Sequence, residues 1–339
     1  MQSLLSFDEL HSALKFDGEA LALQTPPVVL VDLASNPYVW TVPGLGEKMR
    51  TAGFLSLPCV VVGVGNEMRL EHSGSAAALI DVVAADSGEA EEIMAAVARF
   101  PIASVSLALL LRSRDGRSLD EALVAESATY SMLQSGPEFS AWRSTYPAKA
   151  LAVDVESPVV VEREQDRLLV TLNRPTRHNA YSVAMRDGLV AALEIAAIDE
   201  DVNVELIGNG PSFCSGGELA EFASFVDPAS AHQTRLTRSA ARQMVRIADR
   251  VTVRVHGFCL GAGIELSAFA SRIVAHPDTV FALPELSLGL VPGSGGTASL
   301  PPRIGRHRTA LLALTGRRLD ASTALAWGLI DEISDSRTA

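Results

Sequence analysis

Three short segments combine glycines with acidic side chains in a spacing that suits acid–base chemistry. Phe213-Cys-Ser-Gly-Gly-Glu218 follows an apolar run, Gly257-Phe-Cys-Leu-Gly-Ala-Gly-Ile-Glu265 places a carboxylate in the first turn of an expected helix, and Phe281-Ala-Leu-Pro-Glu285 ends another apolar run. Adjacent glycines let a backbone approach a ligand closely and leave N–H groups free to donate. These segments are therefore candidates for a site with backbone donors and two carboxylates.

Each segment also has an ordinary structural interpretation. Glycine pairs of this kind are more often tight turns before a helix than ligand sites. A carboxylate in a first helical turn complements the helix dipole, and a loop carboxylate satisfies nearby backbone N–H groups. The chemical interpretation depends on all three segments occurring in one chain.

Two backbone donors and two carboxylates are what the chemistry of a thioester enolate requires. Negative charge builds up on a thioester carbonyl when a nucleophile adds at C3 or a proton leaves C2, and aimed N–H groups stabilise it. The first N–H groups of a helix have no partner within the helix and lie at the positive end of its dipole. A carboxylate in a partly apolar pocket has its pKa raised toward neutrality, so it can exchange protons with a substrate.

Five motifs in series resemble the enoyl-CoA hydratase/isomerase (crotonase) family in order and spacing, over about residues 159–333. Besides the three segments above, with Leu266 and Pro284 beside their glutamates, they are Asn173-Arg-Pro-Thr-Arg-His-Asn-Ala180 and Leu290-Val-Pro-Gly-Ser-Gly-Gly-Thr297. The resemblance implies a crotonase-like spiral of ββα repeats with an acyl-CoA pocket.

The same resemblance implies roles for individual residues. Glu265 and Glu285 fall on the family's two hydratase glutamates, and the N–H groups of Ser215 and Ala262 fall on its oxyanion hole. Other reactions of the family usually change or lose one of the two carboxylates, so keeping both indicates a hydratase. Glu285 is then expected to give a proton to C2 of a 2-enoyl-CoA, while Glu265 activates the water.

Further contacts with the substrate are expected around the two glycine segments and the first motif. Arginines of the first motif are candidates for the CoA phosphates, although a solvated surface charge is the ordinary role of each. The expected substrate-binding residues are Arg174, Arg177, Asn179, Gly216, Gly217, Gly261 and Gly263. Glu218 stands where Asp is common in the family. Cys214 and Cys259 are interpreted as packing residues, because no partner base is identifiable.

Composition narrows the class of protein. The chain has 339 residues, nearly half of them hydrophobic, and a net charge of −12. This acidic excess disfavours nucleic acid and anionic membranes as partners. Three unpaired cysteines argue against a disulfide framework or a zinc site, and acidic residues near the N-terminus argue against a secretory signal. We therefore expect a cytoplasmic enzyme without a metal or redox cofactor, which receives CoA only as part of its substrate.

The hydrophobic pattern predicts an α/β fold. Strands are predicted at 157–161, 167–172, 202–207, 251–256, 272–275 and 280–283, and helices at 182–199, 231–249, 264–269, 297–314 and 320–328. In the first part, strands are predicted at 28–33 and 58–64 with a helix at 44–52 between them. Helices at 89–100, 102–112, 118–135 and 138–144 and a linker at 147–157 follow. The spiral is thus preceded by a smaller α/β region rich in helices.

The two parts are interpreted as an N-terminal region, residues 1–150, and a crotonase-like catalytic domain, residues 151–339. Family members continue beyond the last motif with helices that cover the pocket and build a trimer. We hypothesise that residues 1–150 are a degenerate crotonase-like half that supplies this helical tail; an unrelated α/β domain is the alternative. A homo-oligomer, trimer or hexamer, is expected.

Two other functions stay open at the level of sequence. One is another crotonase reaction, such as enoyl-CoA isomerisation or a dehydration in a secondary pathway. The other is a catalytically silent acyl-CoA-binding scaffold, which the motif-free first half makes worth considering. Retention of both glutamates argues against the scaffold.

Overall fold

The computed structural model describes residues 4–16, 20–21, 23–34, 54–66, 78–146, 157–222 and 227–336. The chain forms two compact units, Met1–Arg117 with Gly305–Thr315, and Ser118–Ile304 with Gly316–Ala339. The predicted boundary near residue 150 differs from this division, because the helices after residue 118 pack against elements of the second unit. The helix predicted at 44–52 and residues 147–156 of the predicted linker lie outside the described residues.

The first unit contains a parallel sheet whose strands follow one another in chain order. They are β1 (Leu4–Leu5), β2 (Val28–Asp32), β3 (Val60–Val64) and β4 (Val82–Ala84). Its helices are α1 (Phe7–Phe16), α2 (Ser87–Arg99) and α3 (Pro101–Arg112). These elements confirm the predicted α/β region rich in helices.

A buried ion pair holds the edge of this sheet to α3. The Arg112 guanidinium donates to both carboxylate oxygens of Asp81, at 2.7 and 2.5 Å, and to the carbonyl oxygens of Phe54, Leu57 and Cys59. Neither charged group is accessible to water, so each depends on the other and on these hydrogen bonds.

The second unit begins with two helices and contains two sheets. The helices α4 (Leu119–Gln134) and α5 (Pro137–Thr145) precede the first strand, and Ser118 forms a capping box with Glu121 at the start of α4. The larger sheet has the order β13-β10-β8-β7-β6-β5, parallel except for the β5–β6 hairpin, and the smaller has the order β12-β11-β9. The strands are β5 (Val159–Glu164), β6 (Arg167–Leu172), β7 (Asn203–Gly208), β8 (Val251–Val255), β9 (Phe258–Leu260), β10 (Arg272–Ala275), β11 (Val280–Ala282), β12 (Leu319–Asp320) and β13 (Glu332–Ile333).

From β8 to β11, consecutive strands alternate between the two sheets, and a helix follows each pair. β8 lies in the larger sheet, β9 in the smaller one, and a helix follows; β10, β11 and the next helix repeat the pattern. This is the predicted spiral of ββα repeats. The helices of this part are α6 (Val183–Ile198), α7 (Leu219–Phe222), α8 (Pro228–Thr237), α9 (Ala240–Arg246), α10 (Ala262–Ser267), α11 (Gly296–Ser299), α12 (Pro301–Thr315) and α13 (Ala321–Trp327). Gly305–Thr315 of α12 belongs to the first unit.

Three elements differ from the sequence prediction. The single helix predicted at 231–249 is wrong, because Ser239 caps a new helix, α9, with its side chain accepting from Arg242 N. The turn predicted at 257–263 contains strand β9. The helix predicted at 297–314 is interrupted, since Gly305 has φ of +77° inside α12.

Within the described ranges, no single helix has the length and hydropathy needed to span a bilayer. One pair of helices, Ser87–Arg99 with Pro101–Gly116, meets both requirements jointly but is bent by 112°.

Replacing Arg112 by Met is expected to destabilise the protein by about 3–5 kcal/mol, because Asp81 would stay buried without its counter-ion. Urea denaturation measures the change. The matched control is Arg272→Met, which breaks an exposed pair with Glu332 and is expected to cost no more than about 1 kcal/mol. Equal costs for the two variants would contradict the importance of the buried pair.

Candidate active site

The first two glycine segments lie side by side in the second unit. Cys214 and Cys259 form a parallel β-bridge, and Leu260 N donates to Cys214 O at 2.9 Å. The predicted packing role of both thiols is confirmed, since each is fully buried, and burial raises the pKa of Cys214 to about 12. The bridge therefore aligns the turn after Cys214 with the turn that leads into α10.

Gly261, the residue before α10, has a backbone that favours glycine. Its φ is +47°, and a Cβ there would lie 2.3 Å from Oε1 of Glu285. A side chain would thus meet the carboxyl group of the third segment. The absence of one lets Glu285 lie directly against the start of α10.

The N–H of Ala262 is well placed to serve as an oxyanion donor. Ala262 is the first residue of α10, so its N–H has no partner within the helix and lies at the positive end of the dipole. Ala262 also lines the cavity described below. The geometry is compatible with the role predicted for this residue.

Ser215 does not supply the second donor. Its N–H donates to His178 O at 2.9 Å, and Ser215 does not line the cavity, so that prediction is wrong. Gly217 does line the cavity, so its N–H is the candidate for the second donor. Tyr181 N donates to Gly216 O, and the N–H of Gly217 belongs to the same planar trans peptide, so it points away from Tyr181.

The carboxylate of Glu265 is buried and anchored by backbone donors. Its Oε2 accepts from Ser294 N at 2.7 Å and from Gly296 N at 2.9 Å, and the residue is 1% exposed. Burial raises the pKa of Glu265 well above its usual range, and the negative charges of Glu285 and Glu126 raise it further. The two N–H groups act in the opposite direction, because they stabilise the charged form.

Glu285 lies in the same environment with fewer donors. It begins the short 3₁₀ helix Glu285–Leu288 after β11, and its buried Oε2 has no hydrogen-bond partner in the part of the chain that the structure describes. Burial raises its pKa to about 8. The orphaned oxygen and the raised pKa both favour a protonated carboxylic acid near neutral pH.

One cavity of about 150 Å³ connects these groups. It contains both predicted glutamates, the two backbone donors and a set of aromatic and cationic side chains. The lining residues include Leu123, Glu126, Tyr130, Tyr181, Arg186, Gly217, Phe222, Arg235, Ala262, Glu265, Glu285 and Gly295. A thioester carbonyl placed on Gly217 and Ala262 would have its acyl carbons beside two carboxyl groups.

Two of the predicted substrate contacts instead hold the protein together. Arg174 is buried, donates to Ala180 O and pairs with Glu218 at 3.4 Å. Asn179 is fully buried, and its side chain bonds to Arg174 N and to the carbonyls of Asn209 and Ser212. The predicted substrate contacts of Arg174 and Asn179 are therefore wrong, because their polar atoms are satisfied inside the fold.

Of the other predicted substrate contacts, some line the cavity and others only shape the backbone around it. Gly217 lines the cavity, whereas Gly216, Gly261 and Gly263 shape the turns around it. Arg177 is 40% exposed in its side chain and pairs with Glu218 at 2.7 Å. Its contact with a CoA phosphate stays a prediction.

Sequence reasoning missed the contribution of α4. Glu126 and Tyr130 of this helix line the cavity, although the sequence interpretation treated the segment only as a covering helix. A signal was present, since Ala122, Glu126, Tyr130 and Leu133 form one buried stripe at helical spacing. A charged residue on such a stripe needs a buried partner.

The enoyl-CoA hydratase/isomerase family model matches residues 162–338, just over half of the 339 residues. Among curated proteins, 2,3-dehydroadipyl-CoA hydratase of Escherichia coli is 36% identical over 53% of this chain and 70% of its own length. The chain belongs to the enoyl-CoA hydratase/isomerase family.

Two further relatives define what the similarity covers. A 1,2-epoxyphenylacetyl-CoA isomerase of Escherichia coli is 31% identical over 52% of this chain and 69% of its own length. The crystal structure of an enoyl-CoA hydratase from Thermoplasma volcanium aligns with a TM-score of 0.50 and 35% identity, over 53% of this chain and 73% of the other. Because similar relatives are named for different reactions, the reaction must be argued from the side chains of this site.

Gly257→Ala is expected to disrupt the alignment of the two turns. Gly257 has φ of +55°, and a Cβ there would lie 2.2 Å from the backbone oxygen of Pro211. Gly316→Ala is the matched control, since Gly316 has φ of +61° and only Leu283 O at 3.7 Å. The control is expected to cost about 1–2 kcal/mol for its left-handed backbone, and Gly257→Ala clearly more. Urea unfolding compares them, and similar costs would argue against tight packing of the turns.

Proposed function

We propose that this protein is an enoyl-CoA hydratase, which adds water across the double bond of a 2-enoyl-CoA thioester. The observation that carries the proposal is the pair of buried carboxyl groups, Glu265 and Glu285, in one cavity with two backbone donors. A protein that only bound acyl-CoA would gain nothing from two carboxyl groups whose burial costs free energy. Within the family the pair therefore supports hydration rather than a silent binding role.

The proposed oxyanion hole consists of the N–H groups of Gly217 and Ala262. The thioester oxygen accepts from both, and their stabilisation increases as negative charge moves onto that oxygen. Because Gly217 has no side chain, the ring of Phe222 packs where a Cβ would lie, within 2.4 Å of the Cβ position. This ring helps to close the site around the thioester and to exclude water from the oxyanion hole.

In the proposed reaction the two carboxyl groups act as a unit. A water oxygen bonds to C3 while Glu265 takes one of its protons, and the electrons of the double bond move onto the thioester oxygen. Glu285 then gives its proton to C2 and restores the carbonyl. The proton on Glu265 passes back to Glu285, so both groups return to their starting states.

The division of roles follows from the hydrogen bonds of each carboxyl group. Glu265 accepts two backbone N–H groups, which stabilise its charged form and suit a base. Glu285 has an unpartnered buried Oε2, which suits the protonated acid. Since the two groups interact, their titration belongs to the pair rather than to either residue.

Enoyl-CoA isomerisation is a second candidate, favoured by the same unpartnered oxygen. A single carboxyl group that takes a proton from C2 and returns it at C4 would catalyse isomerisation. Glu285 suits this role, because its pKa of about 8 lets it both accept and donate a proton near neutral pH. Incubation with a 3-enoyl-CoA distinguishes the two reactions, since only isomerisation yields the 2-enoyl product without water.

We also propose that α4 and α5 serve as the helical cover of the pocket, as the tail hypothesis for residues 1–150 expects. The position of Glu126 and Tyr130 in the cavity lining supports this. A homo-oligomeric assembly in the cytoplasm is proposed on the resemblance alone.

Glu265→Gln and Glu285→Gln are each expected to slow hydration of crotonyl-CoA by about 10²–10⁴-fold, since each removes a proton-transfer group. The decrease in the absorbance of the conjugated enoyl thioester measures the rate. Glu164→Gln removes an exposed carboxylate and serves as the control. A variant of either catalytic residue with wild-type activity would contradict the proposed pair.

Hydration is expected to slow as the pH rises through about 8, because Glu285 then loses the proton that C2 needs. As the pH falls, the rate is expected to drop again when Glu265 becomes protonated, and this acid limb lies above the usual carboxylate range because burial raises the pKa of Glu265. A pH profile of kcat from 5 to 10 records both limbs. A rate that keeps rising to the alkaline end would contradict a protonated Glu285.

A further inference from the structure

A third carboxylate, Glu126, shares the backbone turn on which Glu265 is anchored. Glu126 comes from α4, far upstream of the family motifs, and is 2% exposed. Its Oε1 accepts from Gly295 N at 2.7 Å, and its Oε2 accepts from Thr297 N at 2.8 Å and from Thr297 Oγ1 at 2.6 Å. We call residues 294–297 the anchor turn.

The four N–H groups of the anchor turn alternate between two carboxylates. Ser294 and Gly296 donate to Glu265, whereas Gly295 and Thr297 donate to Glu126. Each of the four backbone N–H groups of this turn is therefore hydrogen-bonded to one carboxylate or the other. Removing either carboxylate releases two N–H groups inside the protein, where they find no water.

We propose that Glu126 is a positioning residue for the catalytic pair: it fixes the anchor turn, and the anchor turn in turn fixes the carboxylate of Glu265. This inference rests on the proposed function, because the pair is assigned its catalytic role there. It adds a residue outside the family motifs to the machinery of this chain.

The surroundings of Glu126 hold it in place from several sides. Its helix, α4, packs against α8, α9 and α11, and Gly293 leaves room for the ring of Tyr130, whose Cδ2 lies 2.5 Å from the Cβ position of that glycine. Arg235 of α8 stacks over the same ring at 4.8 Å and donates to Ser127 Oγ at 3.0 Å. Glu126 is thus carried on a helix with fixed side-chain contacts on both sides.

The charge of Glu126 also acts on the pair. The titratable groups that face it are Arg235 from α8, Tyr130 from its own helix, Glu265 from α10 and Glu285 from the 3₁₀ helix after β11. Its negative charge raises the pKa of both catalytic carboxyl groups, since like charges disfavour ionisation. Burial raises its own pKa to about 7, so it is partly ionised near neutral pH.

The test compares Glu126→Gln, Glu126→Asp and the exposed control Glu164→Gln in the full-length protein. Glutamine keeps the size of the side chain but has no charge. Its NH₂ group cannot accept a hydrogen bond, so it cannot replace the carboxylate oxygen that an N–H of the anchor turn needs as an acceptor. We expect it to lower kcat by about 100-fold, which is the effect of a small misplacement of a catalytic group. We also expect the alkaline limb of the pH profile to move to lower pH, because Glu126 is charged in that pH range and its like charge is gone.

Aspartate separates geometry from charge. It keeps the negative charge but is one methylene shorter, so kcat is expected to fall while the pH profile stays where it is. This second variant also keeps the test decisive if Glu126→Gln does not fold. The proposal would be overturned if Glu126→Gln had the same rate and pH profile as the control Glu164→Gln. It would also be overturned if Glu126→Gln were slower but its pH profile did not shift.

A readout without substrate separates this inference from the hydratase assignment. The infrared absorption of protonated buried carboxyl groups, followed against pH in the free protein, is expected to disappear at lower pH in Glu126→Gln than in wild type. If wild type does not hydrate crotonyl-CoA but this shift is present, the coupling stands and the proposed function fails. An unchanged titration overturns the coupling whatever the activity.

Discussion

Sharing of one backbone turn between two buried carboxylates is the interaction on which the site depends. A carboxylate that leaves water loses many kilocalories per mole of hydration unless hydrogen bonds replace it. The 294–297 turn supplies that replacement for Glu265 and Glu126 at once, with all four of its N–H groups. Glycines at 295 and 296 make it possible, since a Cβ at Gly296 would lie 2.7 Å from Cγ of Glu265.

The remaining parts of the site follow from the way strands alternate between the two sheets. Each passage from the larger sheet to the smaller one ends in a turn, and the turns after β9 and β11 carry Glu265 and Glu285 toward one cavity. Gly261 leaves the start of α10 open, so the N–H of Ala262 and the carboxyl group of Glu285 lie beside each other. The two glutamates thus come from successive repeats of one spiral, and Ala262 belongs to the same helix as Glu265.

The positions of the two cavity glutamates were predictable from sequence because their signals are local. A glycine turn opens the helix that carries Glu265, and an apolar strand ends at Glu285, so neighbouring residues define both positions. The direction of a backbone N–H, in contrast, depends on distant partners. His178 accepts from the N–H of Ser215, and Tyr181 donates to the carbonyl of Gly216, which leaves the N–H of Gly217 as the candidate donor. The sequence predicted the segment correctly and the residue wrongly for this reason.

Long-range pairing also explains the other departures. Arg174 and Asn179 look like surface contacts in sequence, yet both are buried and, besides local partners, each bonds to residues 30 or more positions away. Glu126 and Gly295 are 169 residues apart, so no local spacing relates them. The break between α8 and α9 did have a local signal, the capping residue Ser239.

Hydration of crotonyl-CoA in D₂O, followed by NMR of the product, tests the central claim most directly. The account predicts a 3-hydroxybutyryl-CoA that carries one deuterium at C2 and none at C4, because Glu285 transfers a solvent-derived proton to C2 as water adds at C3. Deuterium at C4, or recovery of the unsaturated thioester without added water, would contradict hydration at this pair of carboxyl groups.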